Sequence, residues 1–410
     1  MIRPYQRWLA IIGSIVFIVV FFATCMHPSS GADQPDPRGE AYAGAAACLK
    51  CHKPVCDAYA FAAHERTSAL ATRDAIPGSF TPPGNRFSYG PGLDVNMVQR
   101  DSGLFQVTTV DGKEEAHPFD IVVGSGRKAQ TYLYWNGDQP FELPVSYFMI
   151  THSWANSPGF PTDRVWFNRT IPIRCFECHS SYIQKKPSIR VDAFNQIDQF
   201  DKSKVVYGID CERCHGPAAL HVSWQQQHPQ DREAKYITRY AALSRQQKLD
   251  VCGSCHSGTH TMARSAFAFK PGDRLSDYYY PESRISMTPT TMDVHGNQTQ
   301  LLMASKCYLK SETLVCTSCH DTHKKERDDL AVFSTRCMSC HQVATHKRID
   351  SLSTTVLAAN CIDCHLPARA SKVITLQTEG QKDPVADKVR SHFITIYPEE
   401  TKKFLAAIKH

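Results

Sequence analysis

The chain has 410 residues, 42% of them hydrophobic and 21% charged, and a formal net charge of +6. Of its 17 cysteines, only Cys25, Cys56 and Cys307 lie outside a repeated Cys-x-x-Cys-His phrase, which excludes a disulfide-stapled fold. With 24 Pro and 21 Gly and few long periodic runs, the composition predicts short helices joined by irregular loops.

Arg3 and Arg7 precede an apolar run from Trp8 to Ala23, then come Cys25 and a Pro/Ser/Gly/Asp-rich stretch to Gly39. This reads as an export signal. Three fates fit it: cleavage at Ser30-Gly31-Ala32, lipidation at Cys25 in an imperfect Ala23-Thr24-Cys25 site, or retention as an anchor. The basic N-terminal flank places the rest outside the cytoplasm, periplasmic or at the outer surface, with membrane association expected through the N-terminus.

The Cys-x-x-Cys-His phrase occurs seven times: Cys48/Cys51/His52, Cys175/Cys178/His179, Cys211/Cys214/His215, Cys252/Cys255/His256, Cys316/Cys319/His320, Cys337/Cys340/His341 and Cys361/Cys364/His365. At this Cys and His content chance predicts roughly 0.03 copies. The phrase is the attachment signature of c-type haem. Each cysteine forms a thioether to one porphyrin vinyl group, and the adjacent histidine is the proximal iron ligand. Zinc knuckles do not need a histidine after every pair, and thioredoxin-like chemistry needs only one pair. Seven covalently attached haem c groups are expected. Each brings two propionates, about −2, against a ferric core of about +1, so the basic balance is cancelled and implies no nucleic-acid partner.

Four segments follow. Residues 1–39 are the signal or anchor plus linker, 40–79 the first haem helix, 80–170 a β-rich insert, and 171–410 a multihaem domain carrying haems two to seven. An alanine-rich helix after the first motif carries His64, too far along to face the iron of His52. Between Phe80 and Met149 the pattern alternates, as in Phe105-Gln-Val107-Thr-Thr-Val110 and Thr131-Tyr-Leu-Tyr-Trp135, with turn signals at Asp111-Gly112 and Asn136-Gly137-Asp138. A small antiparallel β module after the first haem is expected, separate enough to be dispensable for haem attachment. The fold class predicted is mainly α with irregular loops, organised around stacked haems.

Beyond the seven proximal histidines, those outside the leader and the last residue supply enough imidazoles to cap every iron. The expected distal ligands are His64, His117, His221, His295, His323, His346 and His392, with His152, His228 and His260 in reserve. Met287, Met292 or Met303 are possible substitutes for one of them. His323 follows His320 by three, a spacing that puts two side chains on one helical face. It cannot reach the same iron, and is expected to cap a neighbouring one.

The motif order, with His215-Gly-Pro-Ala-Ala-Leu-His221-Val, Cys319-His-Asp-Thr-His323 and Asp387-Lys-Val-Arg-Ser-His392-Phe, resembles a family of multihaem cytochromes. That family includes the tetrahaem electron carrier of ammonia oxidisers and is more distantly related to pentahaem nitrite reductases and octahaem hydroxylamine oxidoreductases. The likeness extends over most of residues 44 to 396. It implies stacked haems with mostly histidine distal ligands, and supports His221, His323, His392 and, less directly, His64. No Cys-x-x-Cys-Lys motif is present, a departure from the nitrite reductases. The function expected is a heptahaem electron carrier working between a redox donor and an acceptor, alone or with a membrane respiratory complex. The alternative is an oxidoreductase acting on a small nitrogen or sulfur oxide at one five-coordinate haem.

Overall fold

The computed structural model describes residues 35–193, 195–258, 260–280, 288–326, 329–347 and 352–407. The expected leader, with Cys25 and His27, lies outside the described residues, as do Met287 and His410. No helix among the described residues is long and apolar enough to cross a membrane.

Eleven strands between Ser68 and Thr170 form two sheets. They are β1 (Ser68–Leu70), β2 (Arg86–Gly90), β3 (Leu93–Arg100), β4 (Gly103–Val110), β5 (Lys113–Pro118), β6 (Ile121–Val123), β7 (Ala129–Asn136), β8 (Gln139–Glu142), β9 (Val145–Phe148), β10 (Ser153–Asn156) and β11 (Arg169–Thr170). The four strands β2 to β5 make a meander, and the other seven make a sheet ordered β1-β6-β7-β8-β11 with β9 and β10 paired alongside. Asp111 and Gly112 both take positive φ (50° and 73°) between β4 and β5, the backbone that a two-residue hairpin turn requires. Apolar residues alternate inward to a core containing Phe87, Val95, Met97, Tyr132, Leu143 and Trp154. Burying each contributes about 1.5–3 kcal/mol. Gly78 packs so close to the Trp154 ring that an added Cβ would sit 2.2 Å from it.

The module is joined to the haem motifs by a second core, in which Ile121 and Leu133 pack with Ile171, Phe176, Ile183 and Phe200. Phe176 lies between Cys175 and Cys178 of the second motif. The Thr67 and Ser68 hydroxyls donate to the carbonyl oxygen of His179 at 2.9 and 2.6 Å. The segment before β1 and the first sheet are therefore part of the second motif's support.

The motif helices are short. The first motif lies on α1 (Ala45–Tyr59), the second on α2 (Ile173–His179), the third on α3 (Cys211–His215). Next come α4 (Ala219–Gln227), α5 (Arg245–His256) with the fourth motif, α6 (Gln298–Met303) and α7 (Lys306–Lys310). The fifth motif starts on a single 3₁₀ turn, Cys316–Ser318, and the sixth at the end of α8 (Leu330–Met338). After α9 (Thr354–Ala359), α10 (Ile362–His365) holds the seventh, and α11 (Pro398–Ala407) follows.

The expectation of a mainly α protein is overturned: the chain is 30% helical and 27% strand, with several antiparallel sheets. Two long hairpins lie within the region expected to be helical: β12 (Ser180–Arg190) with β13 (Gln196–Tyr207), and β14 (Ala368–Leu376) with β15 (Val385–Arg390). Their sequences hide the strand signal. Register shifts break the period-two alternation in both, and Pro187 interrupts β12.

Candidate haem-binding site

The third motif's helix is anchored where its cysteines begin. Asp210 caps α3 by accepting from Arg213 N at 3.0 Å. Glu212 accepts from Ala43 N, Gly44 N and Ala218 N at 2.9, 2.9 and 2.8 Å. Arg38, whose side chain is 4% exposed, bridges Asp36, Asp210 and Glu212 at 2.8, 2.7 and 3.1 Å. This clamp ties the segment before the first motif to the third, and the sequence alone carries no signal for it. Just ahead of it Gly208 turns with φ +67°, where a Cβ would meet the Glu65 carbonyl oxygen at 2.1 Å.

An imidazole nitrogen binds a first-row metal at about 2.0 Å, and the ring centre lies roughly 1.1 Å behind that nitrogen. Two imidazoles on opposite sides of one metal therefore have ring centres about 6.2 Å apart. Five pairs have this separation. His52 and His221 are 6.5 Å apart, and His215 and His323 6.1 Å. The separation is 6.2 Å for His256 and His64, 6.2 Å for His320 and His392, and 6.3 Å for His365 and His346. Every pair combines one motif histidine with one expected distal ligand, drawn from a different part of the chain.

The second ring nitrogen is often held too. Nδ1 of His221 donates to the Lys235 carbonyl and that of His365 to the Thr395 carbonyl, both at 2.9 Å. His392 and His215 donate likewise to Arg390 O and Thr238 O at 3.3 and 3.4 Å. A carbonyl only accepts, so the proton sits on Nδ1 and the Nε2 lone pair is left for a metal. Burial lowers the pKa of His179, His215 and His295, favouring the neutral form that binds iron.

Two motif histidines stand apart. His179 is half-buried, its Nδ1 is enclosed and unbonded among the described residues, and of the histidines that act on it electrostatically His295 acts most strongly. His341 is exposed, and among the described residues no histidine ring stands opposite it. His117, expected as a ligand, is not brought to a motif histidine. Its place on β5 turns the ring against Tyr134 and Phe167, with centres 4.2 and 4.3 Å away, and bonds it to Glu115 at 2.9 Å. Of the reserves, His228 stacks on Trp224 at 3.8 Å, His260 lies tilted against Tyr279 at 4.5 Å, and His152 sits in a turn with φ 48°.

Cysteines of different motifs also meet. Cys48 is within hydrogen-bonding reach of Cys211, Cys178 of Cys255, Cys252 of Cys316, and Cys337 of Cys361. Cys214 acts electrostatically on Cys252, and Cys340 on Cys319. The close cysteine pairs thus join the first motif to the third, the second and fifth to the fourth, and the sixth to the seventh. Cys51 is exposed on α1 and Cys364 half-buried on α10 beside His365. At the first and seventh motifs Cys48 and Cys361 meet the neighbouring motif.

The donor set fits haem: paired cysteines for two thioethers, an adjacent histidine, and in five cases an opposed imidazole at the axial distance. Residues 167–216, spanning the second and third motifs, match the family described as Cytochrome c554 and c-prime. No curated protein matches the chain. The fold is similar to that of a solved structure, the outer cell wall cytochrome OcwA. At a TM-score of 0.53 and 16% identity, the match covers 88% of this chain and 81% of that one. Motifs, geometry and family match together support one class, a multihaem c-type cytochrome.

Proposed function

We propose that the chain is an exported heptahaem electron carrier, passing electrons along closely packed haems between a donor and an acceptor protein. The five opposed imidazole pairs carry this reading. Iron held by two histidines has no vacant position for substrate, so such haems transfer electrons rather than bind reactants. The cysteine contacts support close packing of the first motif with the third, of the second and fifth with the fourth, and of the sixth with the seventh. The neighbour's description as an outer cell wall cytochrome supports a place outside the cytoplasm, as does the leader. The denatured intact mass of the mature protein tests the stoichiometry, with seven haem increments expected. Six or fewer would refute it.

His341 favours a second reading, an oxidoreductase acting on a small nitrogen or sulfur oxide at one five-coordinate haem. Electron paramagnetic resonance of the oxidised protein separates the two. A carrier is wholly low-spin, and an enzyme of this kind shows one high-spin iron that binds nitrite or hydroxylamine.

A further inference from the structure

Glu142 is a carboxylate in the wrong place for a surface charge. It lies on β8, only 8% exposed, and is paired directly with Leu133 of β7. Cross-strand partners project to the same face of a sheet, and Leu133 lines, with Ile171, Cys175 and His179, a small hollow at the second haem motif. Glu142 and Cys175 also lie within electrostatic range of one another. The charged and polar groups acting on Glu142 are few: the Arg169 guanidinium from β11 at 3.3 Å and the Thr131 hydroxyl from β7. Arg169 is shared. It donates to Pro158 O at 2.8 Å, lies over the Phe160 ring, and is 38% exposed in its side chain.

We propose that Glu142 is a redox-linked proton site. When the haem held by Cys175, Cys178 and His179 accepts one electron from the donor protein, ferric iron becomes ferrous and the Glu142 carboxylate takes one proton from water. Reoxidation returns both. The inference rests on the reading that this motif carries haem.

The physical reason is charge balance in a low-dielectric place. Reduction adds one negative charge beside a carboxylate already short of solvation and served by a single, partly solvated cation. Burial outweighs the Arg169 attraction and lifts the carboxyl to about 7, so a modest added field is enough to protonate it near neutral pH. Arg169 reaches from the carboxylate to the surface and marks the way in for the proton.

The test is a spectroelectrochemical titration of the full seven-motif holoprotein between pH 6 and 8, beside Glu142→Gln and Arg169→Met. In the parent, one haem potential should fall as pH rises, with a slope approaching about 59 mV per pH unit for a one-electron, one-proton step. Glu142→Gln keeps shape and hydrogen bonding but cannot ionise, and should abolish that slope. Arg169→Met removes the cation and should move the sloping region to higher pH. A carboxylic C=O band should appear on reduction in redox-difference infrared spectra and vanish in Glu142→Gln. A flat parent potential, or a slope that survives in Glu142→Gln, would overturn the proposal by assigning proton coupling to none or to the propionates. A peptide mass lacking haem at Cys175 and Cys178 would instead overturn the haem reading itself.

Discussion

Replacing His323 with Ala tests the axial pairing most directly. The His215 and His323 ring centres are 6.1 Å apart with planes 16° from parallel, which leaves room for one iron between two Nε2 atoms. Removing the His323 ring leaves the His215 side intact and the opposite side without a donor. The neighbouring aromatic, Tyr59, is centred 6.2 Å from His323, but its hydroxyl donates to Ile209 O at 2.5 Å and burial raises its pKa far above the usual tyrosine value. It cannot supply a phenolate. One iron in seven, about 14% of the total, should therefore turn high-spin. Spin quantitation of the oxidised protein should show that fraction, and cyanide titration should show one new site per chain. Asp321→Asn is the control, since Asp321 stands 3.7 Å behind the His323 Nδ1 and its loss should leave every iron low-spin. A His323→Ala protein that stays wholly low-spin and binds no cyanide would refute the pairing.

Arg38→Met should cost about 3–5 kcal/mol in denaturant unfolding, because it leaves Asp210 and Glu212 buried without their cation; a loss below about 1 kcal/mol would show the clamp to be idle. Deleting residues 80–149 should leave six haem increments rather than seven, since the Leu133 and Ile121 packing on Phe176 goes with it; seven would show that the module stands apart. Glu326 accepts two hydrogen bonds from Arg336 and one from Asp321 N, and the Arg336 bonds hold its carboxyl down at about 2. Arg336 also donates to Cys319 O, so the pair ties the fifth motif to α8. With the unfolded carboxyl near 4.3, its contribution is complete above that pH and is lost as pH falls toward about 2. Glu326→Gln should flatten that part of an acid-unfolding curve followed by haem absorbance, and an unchanged curve would count against the role.

The Cys-x-x-Cys-His motifs are legible in the chain because each is local. Cys-x-x-Cys-His places three donors within five residues, and so marks seven expected attachment sites without any fold. The β4–β5 turn was legible for the same reason, since Asp111-Gly112 sets its own backbone. The opposed imidazole pairs were not. Two imidazoles on one iron must face each other across the porphyrin, which neighbours in sequence cannot do. His323 lies three residues from His320 yet faces His215, while His320 takes its partner from His392. His346 follows the sixth motif but opposes His365 of the seventh. The helix expected over the second half failed because bulges in two hairpins erase the alternation that marks strands. Glu142 and Arg38 look like ordinary surface charges in the sequence. Only tertiary packing buries the one beside Cys175 and the other among three carboxylates, and burial is what gives a charge its chemical consequence.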